Sequence, residues 1–365
     1  MLHEEQNGAD PVCVGQIMHD RYELIKNLGS GCYSTVWLVR DQSIESSYKA
    51  IKILSPECYD GKHDLFELEI MKHLSKANPS HPGYQHIPII LDDFVYESHQ
   101  GHHVCLVMEL MADNMKGFAF FFEGVKIPNN IMKKITKQLL LALEYAHDSG
   151  VIHTDIKQDN IMVKIRDPLM VDRYLKDSQS IKNISLGEYN FDHPSEFPEI
   201  SIALCDWGFA SWEERHLTPL IQPLLLRAPE VIIQAPWGKE VDIWNLGALL
   251  PELLDAVRMF NGRADVTGGT YYTKHHIEEI DALFGPFPLE MLKAGDQDIV
   301  QKLFDENSQI RDPIERPPAK LERWIECLDG VEKENFLSML RAMLTIDPIR
   351  RPTARALQDA LWLKT

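Results

Sequence analysis

From Arg21 the chain settles into short runs in which apolar and polar positions alternate. Residues 22–28 and 36–40 do this on either side of a glycine-bearing turn, which predicts a hairpin, and residues 48–54 read as a third strand. The period then changes. Leu65, Leu68, Ile70 or Met71, and Leu74 recur three or four positions apart and predict a helix over 64–74. A loop rich in Pro, Ser and Gly (77–86) precedes two more strand candidates, 87–95 and 102–110. Past Met111 the pattern is mainly helical, at 130–147, 241–254, 276–283, 333–344 and 354–361. The expected architecture is α+β: a small five-stranded lobe with one main helix (21–110), then a larger helical lobe (111–362). Residues 1 to about 20 lack periodicity and read as a tail. Residues 166–198 are polar and rich in Asp, Ser, Lys and Pro, as a short insert would be.

Composition narrows the class. Apolar residues make up 44% and charged residues 25% of 365, ordinary for a globular chain. The longest apolar run, 111–122, is broken by Asp113, Asn114 and Lys116, so no membrane span is expected. The opening Met1-Leu2-His3-Glu4-Glu5 lacks the basic start and apolar core of a secretory signal. These readings predict a cytoplasmic and/or nuclear protein. The six cysteines are scattered without a C-x-x-C pair and read as reduced thiols. A net charge of −18 disfavours direct nucleic-acid or membrane binding and favours a basic protein partner. A monomer is expected.

The densest chemistry lies in His153-Thr154-Asp155-Ile156-Lys157-Gln158-Asp159-Asn160, directly after the helical run 135–147. Asp155 suits orienting and deprotonating a hydroxyl, Lys157 neutralising a moving phosphate, and Asn160 holding a magnesium ion. Upstream, Gly29-Ser30-Gly31-Cys32-Tyr33-Ser34-Thr35-Val36 sits between two strands, and small residues there let backbone N–H groups approach phosphates. Downstream, Asp206-Trp207-Gly208 follows a strand-like run, 200–205, and taken alone would read as a turn.

In this order the motifs resemble the protein kinases, over residues 22–362, and the wording H-T-D-I-K is similar to the SR-protein kinases. The resemblance implies a protein kinase domain over 21–362 that transfers the γ-phosphoryl group of ATP, with Mg2+, to Ser or Thr hydroxyls, here of Arg/Ser-rich proteins. Asp155 and Lys157 would be catalytic, with Asn160 and Asp206 on metal. Leu28 and the loop from Gly29 to Val36 would contact nucleotide, with Ala50, Lys52 and the backbone of Glu109 and Met111. Lys52, in Ala50-Ile51-Lys52, would grip the α- and β-phosphates and be held by a carboxylate from the next helix. Glu67 is preferred to Glu69 because Ile70 and Met71 follow it at the family's apolar positions. Met108 would be the gatekeeper. Glu230 of Ala228-Pro229-Glu230 would pair with Arg351 of the closing motif, and Asp242 would be the buried acid of the intervening helix.

Four departures bear on regulation and substrate. Thr154 stands where most kinases have the arginine that clamps an activation-loop phosphate, so activity without loop phosphorylation is expected. Trp207 replaces Phe. Pro223 and Leu224 replace the Thr and Arg of the substrate-side segment, and the residues near 256–258 and 273–276 are neutral or basic where SR-protein kinases are acidic. The alternative reading is a pseudokinase scaffold that binds nucleotide or partners without turnover. A kinase of small molecules is a third, disfavoured by the Ala-Pro-Glu element and the complete closing motif.

Overall fold

The computed structural model describes residues 12–44, 47–61, 65–176, 200–263, 269–314 and 320–364. They belong to two compact units that are not contiguous in sequence. The first takes the chain up to Ser75, Pro88–Ala112 and the stretch from Lys164; the second takes Lys76–Ile87, Asp113–Val163 and the remainder.

The first unit is built on an antiparallel sheet of β1 (Ile17–Met18), β2 (Tyr22–Ser30), β3 (Ser34–Asp41), β4 (Tyr48–Leu54), β5 (Ile90–Ser98) and β6 (Gly101–Glu109), in the order β1-β2-β3-β4-β6-β5. Alternation along the strands gives the sheet two apolar sides. Leu24, Trp37, Val39, Ile51, Ile53 and Val107 form one buried cluster, completed by Val12 and Met18. Leu38, Ala50 and Leu110 belong to another. Helix α1 (Glu67–Ala77) buries Ile70, Met71 and Leu74.

Two expectations need correction here. Among the described residues the sheet has six strands, because β1 comes from the supposed tail and pairs Ile17 with Glu23 and Met18 with Tyr22. A two-residue strand is too short to show a period. The supposed insert also contributes a helix, α4 (Leu169–Lys176), whose Met170, Val171 and Tyr174 join the cluster of Leu38, Ala50 and Leu110. Tyr48 fixes it by donating its hydroxyl to Asp172 at 2.7 Å. The rest of that insert, 177–198, lies outside the described residues.

A short strand, β7 (Met111–Asn114), and α2 (Met115–Ala119) lead into α3 (Asn129–Asp148) of the second unit. α3 buries Ile131, Ile135, Leu139, Leu143 and Ala146, a stripe of helical period. Close packing against it is enforced at Gly83, where an added Cβ would lie 1.9 Å from the Leu141 carbonyl oxygen. Strands β8 (Val151–Ile152) and β9 (Ile161–Lys164) bracket the acidic loop, and β10 (Ile202–Leu204) and β11 (Ser211–Trp212) pair antiparallel with β9 and β8. Beyond α5 (Pro229–Ile232), α6 (Glu240–Asp255) is almost wholly buried, including its Asp242 and Asn245. Among the described residues the remaining helices are α7 (Thr273–Phe284), α8 (Leu289–Ala294), α9 (Gln297–Leu303), α10 (Gly330–Met343), α11 (Ala354–Leu357) and α12 (Leu361–Lys364). Among the described residues no helix is long and apolar enough to cross a membrane.

Candidate active site

In the first unit the glycine-bearing segment is the β2–β3 turn, closed by Gly31 N donating to the Ser34 carbonyl at 2.8 Å. A Cβ on Gly29 would meet no atom within 4 Å, so this glycine leaves open space that no neighbouring side chain fills. Strand β4 sits beside β3, pairing Val36 with Lys52, and carries the lysine on the buried part of the sheet. Lys52 Nζ donates to Glu67 Oε1 at 2.6 Å, with both side chains nearly out of solvent. Glu69 instead accepts from the Tyr59 hydroxyl at 3.2 Å. Their different partners follow from helix geometry, since residues two apart face different sides. At the end of β6 the Glu109 carboxylate pairs with Lys164 at 2.8 Å, while Ala50 and Met108 are neighbours in the ladder.

In the second unit the loop from His153 to Asn160 is clamped by α6. Asp242, wholly buried, accepts from the backbone N–H groups of His153 and Thr154 at 2.8 and 2.9 Å, and its Oδ2 lies 2.9 Å from His147 Nε2. Three positions on, Asn245 accepts from Ile156 N at 3.1 Å and donates to Ile156 O at 2.7 Å. Residues three apart share one helix face, so α6 presents both groups together. Asn245 escaped the sequence reading, although that spacing from Asp242 is visible there.

Held in this way, the loop brings its three expected side chains together. Asp155 Oδ2 accepts from Lys157 Nζ at 2.6 Å and from Asn160 Nδ2 at 2.9 Å. Asn160 Nδ2 also donates to Asp155 O at 2.8 Å, which leaves Oδ1 as its ligand-capable atom. Asn160 O in turn accepts from Cys205 N at 2.7 Å, tying the loop to the strand that delivers Asp206. Asp206 is turned by a left-handed backbone, φ 62°. A carboxylate and a carboxamide oxygen are the hard donors that magnesium takes, so this set fits the ion.

Thr154 also has a positive φ, 65°, unusual for a β-branched residue. Its N–H bond to Asp242 and a 2.6 Å bond from its hydroxyl to Phe209 O hold that conformation. Trp207 is buried, donates Nε1–H to Leu204 O at 2.9 Å and meets the His153 ring edge-on at 4.6 Å. The core therefore accommodates the larger ring that stands in place of Phe. Glu230 and Arg351 are both fully buried and joined by two bonds of 2.7 and 3.1 Å, with the guanidinium 5.2 Å above the Trp244 ring.

The substrate-side segment differs from a simple basic surface. Pro223 opens a single turn, Leu224–Leu226, in which Leu224 is exposed and Leu226 buried. His276 belongs to the core, where burial pulls its pKa down to about 3, and it carries no surface charge.

These features agree with comparison against known proteins. The model of the protein kinase domain matches residues 22–363. The chain belongs to the protein kinase domain family. It is 32% identical to a serine/threonine protein kinase of Aspergillus fumigatus over 97% of this chain and 87% of that one. Protein kinase dsk1 of Schizosaccharomyces pombe is 24% identical, covering 99% and 85% of the two chains. The serine/threonine-protein kinase SRPK of Physarum polycephalum is also 24% identical, covering 96% and 88%. A crystallised kinase domain superposes with a TM-score of 0.74 at 20% identity, over 96% of this chain and 98% of that one, which supports the fold. The chain is thus a protein serine/threonine kinase resembling the SR-protein kinases. Such enzymes act on proteins and generally use ATP with Mg2+.

Proposed function

We propose that this kinase is catalytically competent and transfers the γ-phosphoryl group of ATP to a Ser or Thr hydroxyl. The observation that carries the reading is the arrangement around Asp155, whose Oδ2 is held by Lys157 and Asn160 on a loop clamped by buried Asp242 and Asn245. In the proposed step the hydroxyl oxygen forms a bond to the γ-phosphorus as the bond to the β-γ bridging oxygen breaks. ADP leaves, and the hydroxyl proton passes to Asp155. Lys157 offsets the charge of the phosphoryl oxygens, and Lys52, held by Glu67, aligns the α- and β-phosphates. Leu28, the turn from Gly29 to Val36, Ala50 and the backbone of Glu109 and Met111 hold the nucleotide. Asn160 and Asp206 hold magnesium, which would neutralise phosphate charge when bound.

A pseudokinase scaffold is the competing reading. It is disfavoured because Lys52, Glu67, Asp155, Asn160 and Asp206 are all present and a lost lysine or acid would be its signature. The test is phosphate transfer from ATP to a generic basic protein. Wild type should exceed Asp155→Ala by at least about 100-fold, the usual weight of a positioned acid–base group; equal rates sink the reading. Phosphatase-treated enzyme should keep its activity, because Thr154 bonds Phe209 O directly where an arginine would need a phosphate. The net charge of −18 supports a basic protein partner, Arg/Ser-rich proteins among them, and a monomer.

A further inference from the structure

The catalytic loop carries a second polar contact that the reaction does not use. Gln158, next to Lys157, donates Nε2–H to Glu252 Oε2 at 3.0 Å. Glu252 lies in the last turns of α6, the helix that clamps the loop, and its side chain is only 8% exposed. The other oxygen is taken by the chain itself: Arg258 Nε donates to Glu252 Oε1 at 2.6 Å, and its Nη2 reaches Oε2 at 3.5 Å. Arg258 is mostly in solvent, 57% exposed, whereas its carboxylate partner is not. The two lie six positions apart across the end of α6, so the guanidinium is tethered at high effective concentration.

We propose that Arg258 is a specificity-determining residue, a built-in cation that fills the carboxylate beside the catalytic loop and makes the enzyme indifferent to arginine next to the acceptor hydroxyl. The inference rests on the kinase reading of the same site. A nearly buried carboxylate bonded to the neighbour of the catalytic lysine would otherwise favour a substrate guanidinium, which pairs bidentately with carboxylates. With Arg258 in place, an incoming arginine must first displace a tethered one. Asp159, the loop's other carboxylate, is exposed and hydrated, so it contributes a weak attraction common to every variant. The net charge of −18 still draws a basic protein at long range; Arg258 acts only on the residues flanking the acceptor. Acceptors flanked by neutral residues are then used as readily as those flanked by arginine, so the substrate class is a protein selected by its overall basic charge rather than by arginine beside the acceptor.

The test uses the full chain and a set of alanine-based serine peptides in which one arginine is walked along both sides of the acceptor. Wild type should show near-equal kcat/KM for arginine and alanine at every position. Arg258→Ala should raise the arginine-to-alanine ratio about tenfold at one or two positions, the worth of one charge-assisted hydrogen bond. Glu252→Gln added to Arg258→Ala should return the ratio to near one. A merely structural ion pair would change turnover of all peptides alike and leave the ratio flat, which overturns the proposal, as does strong arginine selection by wild type. If no peptide or generic protein is phosphorylated above Asp155→Ala, the kinase reading itself fails and this inference goes with it.

Discussion

Arg351 spends its guanidinium on Glu230, on the carbonyls of Glu240, Thr345 and Ile346, and on the face of Trp244, and the side chains of the Arg351–Glu230 pair are wholly out of solvent. Removing one partner of such a pair strands the other charge in the core. Arg351→Leu should therefore cost about 3–5 kcal/mol, read as a lowered urea midpoint. His276 works differently. Its ring nitrogen Nδ1 lies 3.1 Å from the Tyr271 hydroxyl, the Arg227 guanidinium lies near enough to oppose a positive charge, and burial dominates, pulling its pKa from 6.5 to about 3. The unfolded chain takes up a proton near pH 6.5 that the folded chain refuses until near pH 3. The stability that His276 adds as a neutral ring is thus full above about pH 6.5 and is lost as pH falls toward 3. Unfolding free energies measured across that window should slope less in His276→Phe than in wild type, by up to about 1.4 kcal/mol per pH unit. Equal slopes would show that His276 does not titrate in this way.

Among the elements, α6 organises the second unit, yet it ends without a glycine. Ala256 closes it in the left-handed region, φ 54° and ψ 31°, where a Cβ is crowded. Ala256→Gly should stabilise the protein by about 0.5–1 kcal/mol, seen as a higher urea midpoint with unchanged slope. Much of the site was legible in the amino-acid sequence. The glycines between two alternating runs placed the turn, and Ile70 and Met71 after Glu67 separated it from Glu69. What escaped depends on contacts distant in sequence or on too few residues. β1 offers two residues of strand, and α4 is an amphipathic helix hidden in a polar stretch. The interior place of His276 depends on Phe260 and Tyr271 folding around it. Gln158, Glu252 and Arg258 meet only because α6 runs beneath the loop.

At the scale of the whole molecule, the chain leaves the first unit after Ser75, returns at Pro88, leaves again after Ala112 and returns once more at Lys164. Each unit therefore depends on sequence that lies beyond part of the other. The cluster of Leu38, Ala50 and Leu110 is complete only when Met170, Val171 and Tyr174 arrive. On the ribosome this imposes an order in time. At roughly 5–20 residues per second, all six strands have emerged some seconds before the helix that covers one of their apolar clusters has been made. During that interval the sheet is a sticky intermediate, and the segment in greatest need of chaperone cover is one that the finished enzyme keeps out of water.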